Sequence, residues 1–365
     1  MTSTAIFGLA CFGIMIALII LGVPIAISMF VISVVGFYIT GGISMLGTQL
    51  SNGIFSLSAS YTFAVVPLFM IVGVLAGETG IASGAYNGAR AWVGKYRGGL
   101  LYTTVVSNAL FGACSGISVA SNAVFCKIAA PELRKAKYDE SLSLGCISAA
   151  GSLSSLIPPS IPIITVCILS NLSIGTALIC GTTAGIITML IMMFIIKGTQ
   201  LIRPNKVPEP TEEDRNITIQ DKIKSLKLLV PILALFALIV GGSFFGWFSA
   251  TVGGAVASVA IIIYALIRRM PIKQLIHAVC ESASQFAGIY LMIMAGSLFS
   301  RFITTTGLAN QLANLISGLH MAPIFIFLIV IVFYLFCGCF IAVMPIIIIT
   351  VPVLLPLLQN LGFNP

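Results

Sequence analysis

The sequence predicts an all-α polytopic membrane protein with inverted-topology repeats, re-entrant hairpins and broken helices. Three observations carry that prediction. Of 365 residues, 59% are hydrophobic and 8% charged, with a mean hydropathy of +1.13, far outside the soluble range. Apolar stretches near the ~20 residues that cross a bilayer recur along the whole length, without the roughly ten-residue alternation of a membrane barrel. Two of them, GACSGISVASNAV (112–124) and GSLSSLIPPSIPII (151–164), are interrupted by serine, glycine and proline.

The first stretch, Ala5–Leu21, has no basic residues before it and no small-residue cleavage site after it, which predicts a retained span and not a signal peptide. Gly8–Leu21 and Val23–Thr40 read as two spans, with Pro24 tolerated near the start of the second. Tyr61–Ala76 is a third. Ile81–Arg97 (IASGAYNGARAWVGKYR) breaks the apolar run and reads as an interfacial helix on the cytoplasmic surface, carrying Arg90, Lys95 and Arg97. Gly98–Pro131 is 34 residues, too long for one span and too short for two with a loop. Basic residues flank both its ends, Lys95 and Arg97 before and Lys127, Arg134, Lys135 and Lys137 after. A re-entrant hairpin, tipped at Cys114–Ser118, satisfies both length and charge.

Ser141–Ser170 then crosses once as a helix broken at Ile157–Ser160, and Ala177–Ile196 returns. No Asp, Glu, Lys or Arg occurs between Ser141 and Ile196, so the break lies at membrane depth. Gly198–Lys227 holds eleven of the 28 charged side chains and reads as a solvated cytoplasmic connector, its acidic Glu212, Glu213 and Asp214 assigned no function. Leu228–Gly242 and Ala250–Ile267 form another pair of spans. Arg268, Arg269 and Lys273 return the chain to the cytoplasm, and a further span covers Ser284–Phe302.

The net charge of +8 sits in short loops, the positive-inside pattern of a membrane protein, and predicts no nucleic-acid partner. Nine cysteines are scattered, with Cys337 and Cys339 the only close pair; buried reduced thiols are expected. His277 and His320 stand alone, which leaves no ionisable cluster for hydrolysis, redox chemistry or zinc binding and argues against an enzyme.

The two halves align weakly. Phe111, Cys114, Pro131 and Asp139 precede Phe336, Cys339, Pro356 and Asn364 by 225 residues, and LAGETGIA (75–82) resembles ITTTGLA (303–309) at an offset of 227. The order of glycine turn, amphipathic helix, interrupted hairpin and proline is kept, as inverted repeats leave it. Leu308–Leu319, without Lys or Arg, is the uncharged counterpart of Ile81–Arg97. The expected organisation is a first inverted repeat over 1–197 (hairpin near 98–131, broken helix near 141–170), a cytoplasmic linker over 198–227, and a second repeat over 228–365. The partner of Pro158–Pro159 falls near position 383, past the last residue, Pro365, so the second repeat is expected to be incomplete at its C-terminus.

Irregular backbone survives in hydrocarbon only when packed in protein or lining a polar cavity. Transporters use such breaks near the midplane to bind ions and anionic substrates. The alternative is a proline-kinked helix whose serines bond back to carbonyls one turn earlier. Pro158, Pro159 and Pro162 among Ser152, Ser154, Ser155 and Ser160 favour the binding site.

These segments resemble the large membrane subunit of TRAP (tripartite ATP-independent periplasmic) transporters, in the ion-transporter superfamily. The resemblance covers nearly the whole chain. It is most specific in VPLFMIVGVLAGETGIA (66–82), RGGLLYTTVVSNALFGACSGISVASNAV (97–124) and PELRKAKYDESLSLGCISAAGSLSSLIPPSIPII (131–164), and extends to SIGTALICG (173–181), SRFITTTGL (300–308) and VPVLLPLLQNLGFNP (351–365). It implies a multi-pass protein of the bacterial inner membrane, an elevator-type motion, and sodium-driven import of a small organic acid such as a C4-dicarboxylate or sialic acid. The implied partners are a small four-helix TRAP membrane subunit and a periplasmic solute-binding protein. The family often carries an acidic residue in the motif resembling GCFIAVMPII (338–347), where this chain has Ala342.

No cofactor is expected beyond Na⁺ as coupling ion. Sodium prefers hard oxygens, which hydroxyls and unwound carbonyls supply without a buried carboxylate. The candidates are Ser115, Gly116 and Ser118 at the hairpin tip and Ser154, Ser155, Pro158 and Pro159 at the break. Candidate substrate contacts are Ser118, Asn122, Ser160 and Arg301, with half-helix N-termini near Val119 and Ser160 facing a carboxylate. For Ser118, Ser121 and Asn122, interhelical hydrogen bonding is an equal reading; for Arg301, snorkelling to the interface is the other. A standalone anion/Na⁺ symporter or exchanger, or a non-functional truncated fragment, remains the alternative for the chain as a whole.

Overall fold

The computed structural model describes residues 3–59, 61–170, 172–242, 247–308, 311, 323–339, 343–360 and 362. The expected helix Leu308–Leu319 and the position of Ala342 lie largely or wholly outside these. The chain forms two compact units, one of Met1–Phe63, Thr165–Leu172 and Ala287–Pro365, the other of Ala64–Ile164 and Ser173–Phe286.

In the first unit, α1 (Ser3–Ile20) and α2 (Ile25–Ser58) match the two expected spans, α2 departing from helical geometry at Gly42, with φ 67°. Both pack on the latter part of α13 (Ile272–Thr306). Phe302 is the centre of that packing, edge-on to Phe37 at 5.6 Å and to Phe7 at 6.2 Å. Gly36 makes room for it, since a Cβ there would sit 2.3 Å from the Phe302 ring. A hairpin of α14 (Pro323–Gly338) and α15 (Val343–Asn360) follows, joined by a 2.6 Å hydrogen bond between the Tyr334 and Thr350 hydroxyls.

The second unit contains the segments with interrupted helices. α3 (Val65–Glu78), entered through a 3₁₀ turn at Tyr61–Ala64, matches the third expected span and bends by 64° into α4 (Ile81–Val93) at left-handed Gly80. The amphipathic character of α4 agrees with the sequence, but its apolar face is not laid on lipid. It is covered by α5 (Gly99–Ser115) and α11 (Ile219–Phe236). Gly84 and Gly88 permit this approach, because a Cβ at these positions would lie 3.2 Å from the Leu228 carbonyl oxygen and 2.6 Å from Leu229. Small residues one turn apart admit a close neighbour, and the contact displaces lipid from the stripe.

α5 and α6 (Ser118–Lys135) form the expected hairpin, turning at left-handed Gly116 and extended Ile117. α7 (Glu140–Gly151), a 3₁₀ turn at Ser152–Ser155 and α8 (Ile161–Ser170) form the expected broken helix, and α9 (Ile174–Ile202) returns. Asp139 caps α7 by accepting the Leu142 N–H at 2.9 Å. That bond, with Lys206 Nζ at 3.1 Å, holds its carboxyl below the usual carboxylate range.

The linker differs from a solvated connector. α9 runs into it, and Arg97 donates to the Val207 and Pro204 carbonyls at 3.1 and 2.8 Å. Asp214, in the one-turn α10 (Glu212–Arg215), is 2% exposed. The Arg90 guanidinium grips it at 2.6 and 3.3 Å while its third nitrogen reaches Glu132 at 2.8 Å, and Thr211 donates to Asp214 at 2.6 Å. A carboxylate removed from water needs such partners, and Arg90 on α4 supplies them. α12 (Ala250–Ile267) packs on α3, where the Ser258 hydroxyl donates to the Leu68 carbonyl at 2.8 Å and Gly254 faces Phe69.

No disulfide joins the cysteines among the described residues, and Cys126, Cys180, Cys280 and Cys339 are exposed. The burial expected for all nine holds only for part of them, because apolar character on a membrane helix favours lipid as readily as a protein core.

Candidate functional site

The hairpin tip and the helix break meet. The Gly116 carbonyl accepts the N–H of Ile161, the first residue of α8, at 3.3 Å. A Cβ on Gly116 would lie 2.2 Å from the Pro159 carbonyl oxygen, so only glycine fits there, and its φ of 63° also demands glycine. Pro158 and Pro159 are joined by a cis peptide bond.

Three further glycines draw the same segments together. A Cβ on Gly112 would sit 2.8 Å from Cα of Ser154, one on Gly151 would sit 1.8 Å from Oδ1 of Asn122, and one on Gly73 of α3 would sit 2.7 Å from the Ser115 carbonyl oxygen. The sequence reading names none of the three. For Gly112 and Gly151 the signal is a glycine beside a serine-rich break, which in apolar helices marks close backbone approach; Gly73, in the apolar run FMIVGVLA, carries no such signal.

Around this junction lie buried oxygens with no hydrogen-bond partner: the hydroxyls of Ser115, Ser154 and Ser155 and Oδ1 of Asn122. Elsewhere on the hairpin, buried polar groups are satisfied. Thr103, Thr104 and Ser107 each donate to a carbonyl four residues earlier. Asn108 donates to the Thr104 carbonyl at 3.0 Å and accepts from Ser121 at 2.8 Å. Ser121 therefore takes the interhelical hydrogen-bonding role. Of the seven buried side-chain oxygens without a partner among the described residues, these four lie at the junction; the others are the hydroxyls of Ser28, Tyr86 and Ser170.

Of the other candidates, Ser118 is half-buried at the first turn of α6. Ser160 is buried and occupied in capping, donating to the Ser155 carbonyl and accepting the Ile163 N–H at 3.3 Å. Arg301 belongs to the other unit, on an exposed position of α13. The junction thus brings together Ser115, Gly116, Asn122, Ser154, Ser155, Pro159 and Ser160.

Chemically the junction is a set of neutral oxygens beside helix starts. α6 begins at Ser118 with backbone N–H groups free of helical partners in its first turn, whereas at the start of α8 the Ile161 N–H is taken by the Gly116 carbonyl, Pro162 has none and the Ile163 N–H is taken by Ser160. Such an arrangement accepts a hard cation at the oxygens and an anion at the N–H groups.

Comparison with known proteins gives a consistent result. Residues 12–365 match the family described as "Tripartite ATP-independent periplasmic transporter, DctM component". The chain is 28% identical over 319 residues to the C4-dicarboxylate TRAP transporter large permease protein DctM of Pseudomonas aeruginosa, covering 87% of this chain and 73% of the relative. It is 25% identical to the sialic acid TRAP transporter large permease protein SiaM of Vibrio cholerae, covering 96% and 81%. A 2,3-diketo-L-gulonate TRAP transporter large permease protein of Escherichia coli is 26% identical, covering 88% and 74%. These relatives are named as large permease proteins. The chain is a multi-pass membrane protein that belongs to the DctM component family of tripartite ATP-independent periplasmic transporters.

Proposed function

We propose that this chain is the large permease subunit of a sodium-coupled tripartite transporter importing a small organic acid across the bacterial inner membrane. The single observation that carries the coupling is the cluster of partnerless buried oxygens, Ser115, Ser154 and Ser155 Oγ and Asn122 Oδ1, at the junction of hairpin and break. A buried hydroxyl left unpaired costs about 1–3 kcal/mol, so several at one junction are explained by a ligand that pairs them. Na⁺ fits this donor set, which is oxygen-only, neutral and buried.

The substrate class rests on the relatives, named for a C4-dicarboxylate, sialic acid and 2,3-diketo-L-gulonate. The helix start at Ser118 is suited to a carboxylate. The partners follow from the family's tripartite description: a small four-helix membrane subunit and a periplasmic solute-binding protein that delivers the acid. In this reading the two halves are inverted repeats, and the hairpin and broken helix move together as the carrier in an elevator motion.

Uptake into proteoliposomes holding the chain with its partner subunits tests the proposal, with a C4-dicarboxylate or sialic acid offered by the binding protein. Accumulation should require an inward Na⁺ gradient and stop when K⁺ replaces it. Equal uptake in K⁺ would sink the coupling.

A further inference from the structure

A second site lies away from the hairpin tip. α7 and α9 flank an open groove of about 740 Å³, lined mostly by apolar side chains and, past the C-terminal end of α9, by Arg203 and Lys206. It exists because α7 offers Gly145 and Ala149, one turn apart, opposite Met192 and Ile195 of α9. A Cβ added at Gly145, or at Gly198 on α9, meets nothing within 4 Å, so the space is open and not filled by a neighbouring side chain.

α9 is an apolar helix of 29 residues, long enough to cross a membrane, and most of its apolar stretch is not buried against the rest of the protein. The groove therefore opens on a surface suited to lipid. At its basic end Lys206 meets the Asp139 carboxylate at 3.1 Å, and Arg203 acts on the same carboxylate from farther away. Two cations against one carboxylate leave a net positive charge where the spanning helix ends. An apolar body with one cationic end matches an amphiphile with an anionic head; basic pockets between membrane helices bind acidic headgroups in this way.

We propose that this groove binds one anionic phospholipid, its acyl chain lying against Gly145, Ala149, Met192 and Ile195 and its phosphate against Arg203 and Lys206. The site is independent of the transport reading, since none of its residues belongs to the tip or the break.

Native mass spectrometry of the full chain in detergent, titrated with phosphatidylglycerol or phosphatidylcholine, tests it. One phosphatidylglycerol should be retained in preference to phosphatidylcholine. Arg203→Gln should weaken phosphatidylglycerol about fivefold, on the order expected for one interfacial charge, and leave phosphatidylcholine unchanged. Gly145→Phe should abolish retention by filling the groove while the thermal melt is kept; should that variant melt early, Gly198→Leu fills the groove from α9 and decides the matter. Equal retention of the two lipids, or retention unchanged in the groove-filled chain that folds, overturns the proposal. So does displacement of the lipid by millimolar inorganic phosphate, which would make the basic end an ion site, or a co-purifying protein in the lipid's place.

Discussion

The two ends of the first hairpin solve the problem of buried polarity in opposite ways. At the base, charges are buried and paired: Arg90 holds Asp214 and Glu132 at once, and Thr211 completes the Asp214 shell. At the tip the polar groups are neutral, and four buried oxygens have no partner. A satisfied network rigidifies, whereas an unsatisfied one is a weakness unless something else binds there. The difference supports the proposed division, with anchoring at the base and ligand binding at the tip. Substitutions at the two ends should therefore separate stability from transport.

The largest effect is expected at the base. Arg90→Ala leaves Asp214 buried without its charge partner and should lower stability by about 3–5 kcal/mol, read as loss of folded protein in a detergent melt. Next comes Gly116→Val, which forces a branched side chain into left-handed backbone and against the Pro159 carbonyl; about 1–3 kcal/mol of overpacking is expected, with transport abolished.

Smaller and more telling is the pair Ser121→Ala and Ser154→Ala. The first strands Asn108 Oδ1 and should cost about 1 kcal/mol with no change in sodium dependence. The second removes a hydroxyl that bonds to nothing in the protein. It should leave the melt in sodium-free buffer unchanged, while raising the Na⁺ concentration needed for half-maximal uptake. The smallest effect is predicted for Glu140→Gln. Its partner Arg134 lies 2.6 Å away, but the two side chains are 67% and 78% exposed, and such pairs contribute under about 1 kcal/mol.

Which parts of this contrast can be read from sequence follows from the range of the interactions. The hairpin and the break are legible because length and flanking charge are local properties: Gly98–Pro131 has one fold that satisfies both, and the adjacent Pro158 and Pro159 interrupt a helix wherever it lies. Ser115, Ser154 and Ser155 are legible as oxygens beside that stop. Asp214 is not, because PEPTEEDR reads as solvated and its partner Arg90 is 124 residues away. The covering of α4 is half legible: its amphipathic stripe is plain in the sequence, yet whether lipid or α11 lies on it depends on Gly84 and Gly88 meeting Leu228 and Leu229. Ser121 and Asn122 illustrate the remaining gap. They are neighbours of the same chemical kind, but only the first finds a partner, and that depends on which helix face meets α5.

The central claim is that the orphan oxygens at the tip hold sodium, and a melt of the full chain at matched ionic strength in NaCl and KCl tests it most directly. Binding to the folded state alone raises stability by about 2.7 kcal/mol at a hundredfold excess over Kd. The account predicts a higher unfolding temperature in NaCl than in KCl for the natural sequence, and coincident curves for Ser115→Ala/Ser154→Ala. Coincident curves for the natural sequence, or a sodium shift that survives in the double variant, would contradict it.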